Sequence, residues 1–103
     1  MSYSIHKGAT RPKLIAQIVD EDGDAVNLSG ATVKINVGWP GETRIVSNGA
    51  VTVTSAPNGL VQFAFSAAQT GTARTYRGQF WITWGDLSTQ ATDVFDVIVK
   101  EIV

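Results

Sequence analysis

Hydrophobic and polar residues alternate along several short segments of the chain, and this two-residue period is typical of β-strands. In "ATVKINVGW", Val33, Ile35, Val37 and Trp39 fall on one side, and the residues between them fall on the other. Such a segment fits a strand with one face in the core and one face in water. The pattern therefore predicts a half-buried strand here, with Trp39 on its inner face.

The same alternation recurs in "KLIAQIVD", "GLVQFAFS", "YRGQFWITWG" and "TDVFDVIVKEIV". The predicted inward residues are Leu14, Ala16 and Ile18; Val61, Phe63 and Phe65; Tyr76, Phe80, Ile82 and Trp84, with Gly78 between them; and Phe95, Val97 and Val99. Shorter strands are predicted from Glu42 to Val46 and from Ala50 to Thr54. The choice for the last segment sends Asp96 and Lys100 to water, and it leaves Ile98 and Ile102 facing outward.

The segments between the predicted strands carry turn signals. "DGD", "PGE", "SNG", "PNG" and "WGD" each contain the Gly or Asn that a tight turn favours. The helical signal is "SAAQ", where Ser66 and Gln69 form a capping box for about one turn. About seven strands separated by such turns predict an all-β fold, an antiparallel β-sandwich.

A chain of 103 residues is expected to form one domain. We assign residues 12–103 to the sandwich. Residues 1–11 are small and polar with no period, so they are predicted to form an N-terminal arm that is ordered only on assembly against a partner.

Charge and composition narrow the function classes. Eight Lys and Arg stand against nine Asp and Glu, so no broad positive field is expected to hold nucleic acid or an anionic membrane. The chain has no cysteine, which excludes a disulfide framework and a thiolate metal site. No run of apolar residues reaches the length of a spanning helix, and the first residues lack the apolar core of a secretory signal.

The acidic stretch "DEDGD" is a candidate metal loop because Asp20, Asp22 and Asp24 alternate like the first ligands of a calcium loop. However, Gly23 is at the fourth position rather than the sixth, and Ala31 stands where a bidentate Glu is required. We therefore predict a hairpin turn and no metal site.

Catalytic chemistry has little support in the sequence. His6 is the one histidine, and the chain has neither a nucleophile elbow nor a glycine-rich phosphate loop. The carboxylates fall in turns or at outward positions, so no buried acid and base pair is expected. The sequence predicts a protein that is not an enzyme, with no catalytic residues and no cofactor.

One residue breaks the pattern of buried aromatics. Trp81 falls between Arg77, Gln79 and Thr83 on the outer face of its predicted strand. Either a partner covers it, or a loop or the N-terminal arm folds over it. The predicted partner interface consists of His6, Arg11, Arg77, Trp81, Ile98 and Ile102.

Two stretches of the chain are distinctive: "IVDEDGDAVNLSGATVKINV" and "APNGLVQFAFSAAQTGTARTYRGQFWITWGD". Together they resemble the immunoglobulin-like N-terminal domain of bacteriophage upper baseplate and tail structural proteins. The shared features are a D-x-x-G turn, a V-x-L-x-G-A-T-V strand entry, an N-G-x-V-x-F strand, an S-A-A connector and a T-Y-R-x-x-F strand. The resemblance covers roughly Leu14 to Val99, and it departs from the family at Trp81, where a polar residue is expected. It implies an immunoglobulin-like sandwich in which Leu28 plugs the core and Gly30 supplies a turn.

The resemblance also implies a function. The expected protein is a non-enzymatic structural component of a tailed bacteriophage virion that docks on the tail, baseplate or neck. Its partners would be other virion proteins, it would occur in many copies on a symmetric particle, and it would be assembled in the host bacterial cytoplasm. The alternatives are a capsid decoration protein, a carbohydrate-binding module for host glycans with Trp39 and Trp81 as stacking platforms, and an Ig-like domain of a bacterial surface protein.

Overall fold

The computed structural model describes residues 2–39, 44–92 and 94–102. Within them the chain forms nine strands and a one-turn 3-10 helix, Ala56–Asn58. The strands are β1 (Ser2–His6), β2 (Leu14–Gln17), β3 (Thr32–Gly38), β4 (Val46–Ala50), β5 (Thr52–Ser55), β6 (Leu60–Phe63), β7 (Thr75–Thr83), β8 (Thr89–Ala91) and β9 (Phe95–Lys100).

The strands form two sheets that pack face to face. The larger sheet has the order β1-β9-β7-β3-β4, with β8 also paired to β7, and the smaller sheet has the order β2-β6-β5. The described strand pairs are antiparallel except β1 and β9, which are parallel. This arrangement is an immunoglobulin-like β-sandwich and confirms the predicted fold class.

The inward faces of both sheets supply the core, as the alternation predicts. The predicted inward residues are buried, except that Trp84 is only partly buried and Trp39 is exposed. Phe63 and Phe65 meet edge to face with ring centroids 5.0 Å apart, and Phe80 stacks on Phe95 at 5.3 Å. Leu28 is fully buried, and Gly30 has a positive φ of 76°, so both positions agree with the resemblance.

A hydrogen bond at the start of β7 marks the same fold. The hydroxyl of the buried Tyr76 donates to the carbonyl oxygen of Thr72 at 3.1 Å. A tyrosine near the start of this strand that bonds back to the chain a few residues upstream is the tyrosine corner of immunoglobulin-like domains. It ties the connection before β7 to the core.

The N-terminal segment differs from the prediction. Ser2–His6 form β1, which pairs with β9 and places Tyr3 and Ile5 in the core. Tyr3 stacks on Phe65 at 5.5 Å, and its hydroxyl donates to the carbonyl oxygen of Pro12. The prediction failed because Ser2, Ser4 and His6 leave only two apolar positions, too few to show a period. Met1 and Val103, at the ends of the predicted arm and domain, lie outside the described residues.

The predicted strand from Glu42 to Val46 is also shifted. Its first residues lie outside the described part, and β4 begins at Val46 and runs through the "SNG" that suggested a turn. The pairing of β3 with β4 is irregular there, and Asn48 has a positive φ of 53°. The Asn and Gly therefore belong to a bulge in the strand rather than to a hairpin turn.

The capping box predicted at the short connector is confirmed at atomic detail. At "SAAQ", the Ser66 N–H donates to the Gln69 side-chain oxygen at 2.8 Å, and the Gln69 N–H donates to the Ser66 hydroxyl at 3.3 Å. These reciprocal bonds are those of a capping box. In the described part of the chain, no helix is long and apolar enough to cross a membrane.

Candidate interaction surface

The outward face of the larger sheet gathers most of the predicted interface. Arg77 and Trp81 are on the same side of β7, opposite its buried residues. Ile98 pairs with Thr75 of β7, and His6 pairs with Lys100 of β9, so their side chains point to this side as well. We call this side the outer face; it consists of the outward side chains of β1, β9, β7, β8 and β3.

Trp81 is at the centre of a polar frame on the outer face. It is 40% exposed and is paired with Lys34 on β3 and with Ala91 on β8. The next row along the sheet contains Thr32, Thr83 and Thr89. The strand β1 does not flank Trp81, because it lies two strands away at the edge of the sheet. A large aromatic ring is thus displayed beside Ala91 and one lysine, with short polar side chains in the next row.

Hydrogen bonds hold the surroundings of Trp81 in place. The Gln79 side-chain amide donates to the Thr92 carbonyl oxygen at 2.8 Å, and the Thr92 hydroxyl accepts from the Phe80 N–H at 3.1 Å. On the other side, the side-chain oxygen of Asn36 accepts from the Asn48 N–H at 2.8 Å and from Arg44 at 3.2 Å. A surface built on bonded strands presents the indole in a fixed setting, which lowers the entropy lost on binding.

A second cluster lies farther along the same face. Arg77 forms an ion pair with Asp96 at 3.4 Å, and both side chains are exposed. Arg77 and Trp81 are four residues apart on β7, which corresponds to about 13 Å along a strand. Ile98 is half-buried between Thr75 and Ser4, beyond the ion pair. The outer face therefore carries an aromatic centre and a separate charged patch.

The structure does not bring Arg11 and Ile102 to this centre. Arg11 is exposed in the connection between β1 and β2, and Ile102 is exposed beyond the end of β9. Both residues were included in the predicted interface, and both are exposed, but neither lies on a strand of the outer face. In contrast, Lys34 and Ala91 directly flank Trp81, and they were not predicted because the alternation does not show which residues of separate strands lie opposite one another.

The prediction for Trp39 is wrong. Its position continues the inner side of β3, but the indole is 40% exposed because the residue follows the end of the strand, at the rim of the sandwich. The Arg74 guanidinium carbon lies 5.0 Å from the Trp39 ring centroid and 5.7 Å from that of Tyr76. Trp81 points to the opposite side of the same sheet, so the two indoles do not form one stacking platform.

The acidic stretch is a turn, as predicted. An isolated bridge joins Val19 to Ala25, and the Asp20 side chain accepts from the Asp22 N–H at 2.9 Å and from the Asp24 N–H at 3.0 Å. Carboxylate oxygens of Asp20, Asp22 and Asp24 lie within 4.8 Å of one another, and all these residues are exposed. The bonds to backbone N–H groups account for the position of the Asp20 carboxylate.

A similar turn follows β7. The Asp86 carboxylate accepts from the Ser88 hydroxyl at 2.6 Å and from its N–H at 3.0 Å, and these bonds lower the pKa of Asp86. The carboxylate is fully exposed, so it is a turn residue rather than a candidate acid or base.

A groove between the sheets was not predicted. It has a volume of about 230 Å³ and runs beside residues 16–19, with Phe80, Thr92, Val94 and Phe95 on the other side. Val19 and Val94 are both exposed. The sequence gives only a weak signal for this groove, because Val19 has the position of an outward residue in an ordinary alternating strand.

No family model matches the sequence, and no curated protein matches it. Among solved structures, the chain is similar to the N-terminal domain of phage TP901-1 ORF48, with a TM-score of 0.75 and 20% sequence identity. The match covers 95% of this chain and 83% of that chain. The two share the fold.

Proposed function

We propose that this protein is a non-enzymatic structural component of a tailed bacteriophage virion that docks on the tail, baseplate or neck. The observation that carries the proposal is the fold likeness to the N-terminal domain of a phage protein over 95% of the chain. The sequence resemblance noted above points the same way. Its partners would be other virion proteins, and repeated copies on a symmetric particle would reinforce a weak individual contact.

Docking would use the outer face around Trp81. A half-exposed tryptophan surrounded by Lys34, Ala91 and threonines resembles the anchor of a binding hot spot, in which a central aromatic is enclosed by polar neighbours. The bonded strands beneath it would hold the ring in the orientation that a partner meets.

The location is tested by immunogold electron microscopy on purified phage particles from a host that produces this chain. We expect label at the tail tip, along the tail or at the neck. Label over the whole head would replace the proposal with a capsid decoration protein. Particles that stay bare, both intact and after partial disassembly, would refute a virion role.

The docking face is tested by complementing a deletion with Trp81→Ser and measuring incorporation into particles by quantitative mass spectrometry. We expect at least a tenfold loss of incorporation, because truncation of a hot-spot tryptophan costs about 2 kcal/mol or more. Leu87→Ser is the control, since Leu87 is 82% exposed in the turn between β7 and β8 and is not on a strand of the outer face. Normal incorporation of Trp81→Ser would exclude this site.

The stability of the same variant separates binding from folding. Part of the indole packs on the sheet, and a substitution at such a position changes stability by about 1 kcal/mol, or roughly 4–8 °C in Tm. A soluble variant that melts within this range and still fails to assemble supports docking. If the variant unfolds, its failure to assemble reports folding, and Lys34→Glu then tests the same face.

A further inference from the structure

The strand β2 is the edge of the smaller sheet. Within the described part of the chain it pairs with β6 on one side, and its other side borders the groove beside Val94. The Ile18 N–H donates to the Gly59 carbonyl oxygen, and the Ile18 oxygen accepts from the Val26 N–H, so this residue faces β6 and the returning chain. Because backbone groups alternate in direction, those of Ile15, Gln17 and Val19 point to the open side.

The outward side chains of this edge are unusually apolar. Leu14, Ala16 and Ile18 are buried, while Ile15 is 69% exposed and Val19 is 46% exposed. The run "LIAQIV" contains no charge. Edge strands are normally protected by charged side chains or bulges, because their free N–H and C=O groups invite another strand. The pairings of the edge strands β4 and β5 contain such irregularities, whereas β2 pairs in regular register.

The charges at the two ends of this edge are opposite. Arg11 and Lys13 precede β2, and the acidic residues of the turn follow it. The acidic residues are Asp20, Glu21, Asp22 and Asp24, and these residues and the two basic ones are all exposed. The edge therefore has a positive start, an apolar middle and a negative end. Such a segment is complementary to a second copy of itself running in the opposite direction.

We propose that two copies of this chain pair through their β2 edges, antiparallel, about a twofold axis at Gln17. In this register Gln17 faces Gln17 of the other copy, Ile15 faces Val19, and Lys13 faces Glu21. Gln17 and the Ile15–Val19 pair then meet through backbone groups on the open side and exchange ladder hydrogen bonds, while Lys13 and Glu21 interact through their side-chain charges. The exposed Ile15 and Val19 cover each other, and the two smaller sheets become one continuous sheet.

Self-association is measured by sedimentation equilibrium of the purified chain over about 1 μM to 1 mM, a range that detects weak dimers. We expect a reversible monomer–dimer equilibrium that weakens as salt rises, because screening weakens exposed ion pairs. Ile15→Lys is expected to raise the dimer Kd by about tenfold or more, because it puts a charge into the apolar middle. Leu87→Lys is the control, since Leu87 is also an exposed apolar residue and lies off this edge, and it should leave the Kd unchanged.

A charge swap tests the register. Lys13→Glu and Glu21→Lys each place like charges opposite one another, and each should raise the Kd several-fold, up to about tenfold. The double variant restores opposite charges and should recover the original Kd. In addition, hydrogen exchange at the Gln17 and Val19 amides should slow as the protein concentration rises.

The proposal is overturned if the chain stays monomeric across the whole range, or if it dimerises with a Kd that Ile15→Lys and the charge swap do not change. An unfolded variant is recognised by its circular dichroism. In that case hydrogen exchange in the native chain is the test: the proposal is overturned if exchange at the Gln17 and Val19 amides does not slow as the protein concentration rises. The outcome is independent of the proposed function, because Trp81 is on the other sheet. Trp81→Ser should leave dimerisation intact even if it abolishes incorporation into particles.

Discussion

A close contact between β7 and β9 gives a quantitative test of the core. Gly78 lies on the inner side of β7 directly opposite Phe95, and the Phe95 ring covers it. A Cβ at Gly78 would lie 2.7 Å from the ring Cζ and 2.8 Å from Cε2, whereas ordinary contact begins at 3.4 Å. In Gly78→Ala the ring must therefore retreat by about 0.7 Å.

The ring has little room to move. Phe95 is buried, and it stacks on Phe80 with the ring centroids 5.3 Å apart. Adding a methyl group to a packed core costs about 1–3 kcal/mol, while replacing Gly by Ala in a strand returns about 0.5–1 kcal/mol. Taking the middle of the two ranges, we expect Gly78→Ala to lower the free energy of unfolding by about 1.2 kcal/mol, which is a fall in Tm of roughly 5–10 °C.

The assay is urea denaturation followed by tryptophan fluorescence, with Phe95→Leu and the double variant measured in parallel. Phe95→Leu removes the ring edge, so adding Gly78→Ala to it should cost less than adding it to the native chain. The difference is a coupling energy of about 0.5 kcal/mol or more. A Gly78→Ala variant that is as stable as the native chain, or additive with Phe95→Leu, would show that the ring does not set the need for glycine.

Three further substitutions test other contacts. Tyr76→Phe removes the hydroxyl that donates to Thr72 and should cost about 1–2 kcal/mol in urea denaturation; an unchanged midpoint would contradict a structural role for this bond. Burial raises the pKa of Tyr3 above 10.0, so Tyr3 ionises first in the unfolded chain, and the free energy of unfolding should fall as pH rises above 10. In Tyr3→Phe the free energy of unfolding should fall less steeply between pH 9 and 11. Identical slopes in the variant and the native chain would refute this assignment. Asp20→Ala leaves two turn N–H groups without their acceptor and should lower the free energy of unfolding by about 1 kcal/mol or less in urea denaturation. Asp22→Ala is the control and should lower it by less.

The candidate surface was only partly accessible from the sequence. Alternation places Trp81 and Arg77 on the outward side of β7, and the structure confirms that side. Lys34 and Ala91 flank Trp81 through the pairing of separate strands, and a two-residue period carries no information about which residues lie opposite. The role of this face as an interface stays a prediction until the particle experiments are done.

Features that depend on near neighbours in the chain can be predicted from the amino-acid sequence alone. The inward sets, the Ser66 capping box and the Asp20 turn follow from periods and hydrogen bonds that span a few residues. The strand at Ser2–His6, in contrast, depends on tertiary pairing, because its partner β9 is at the other end of the chain. Tertiary structure likewise exposes Trp39 and places β2 at the edge of the smaller sheet, since the end of a sandwich and the edge of a sheet exist only once distant strands have paired.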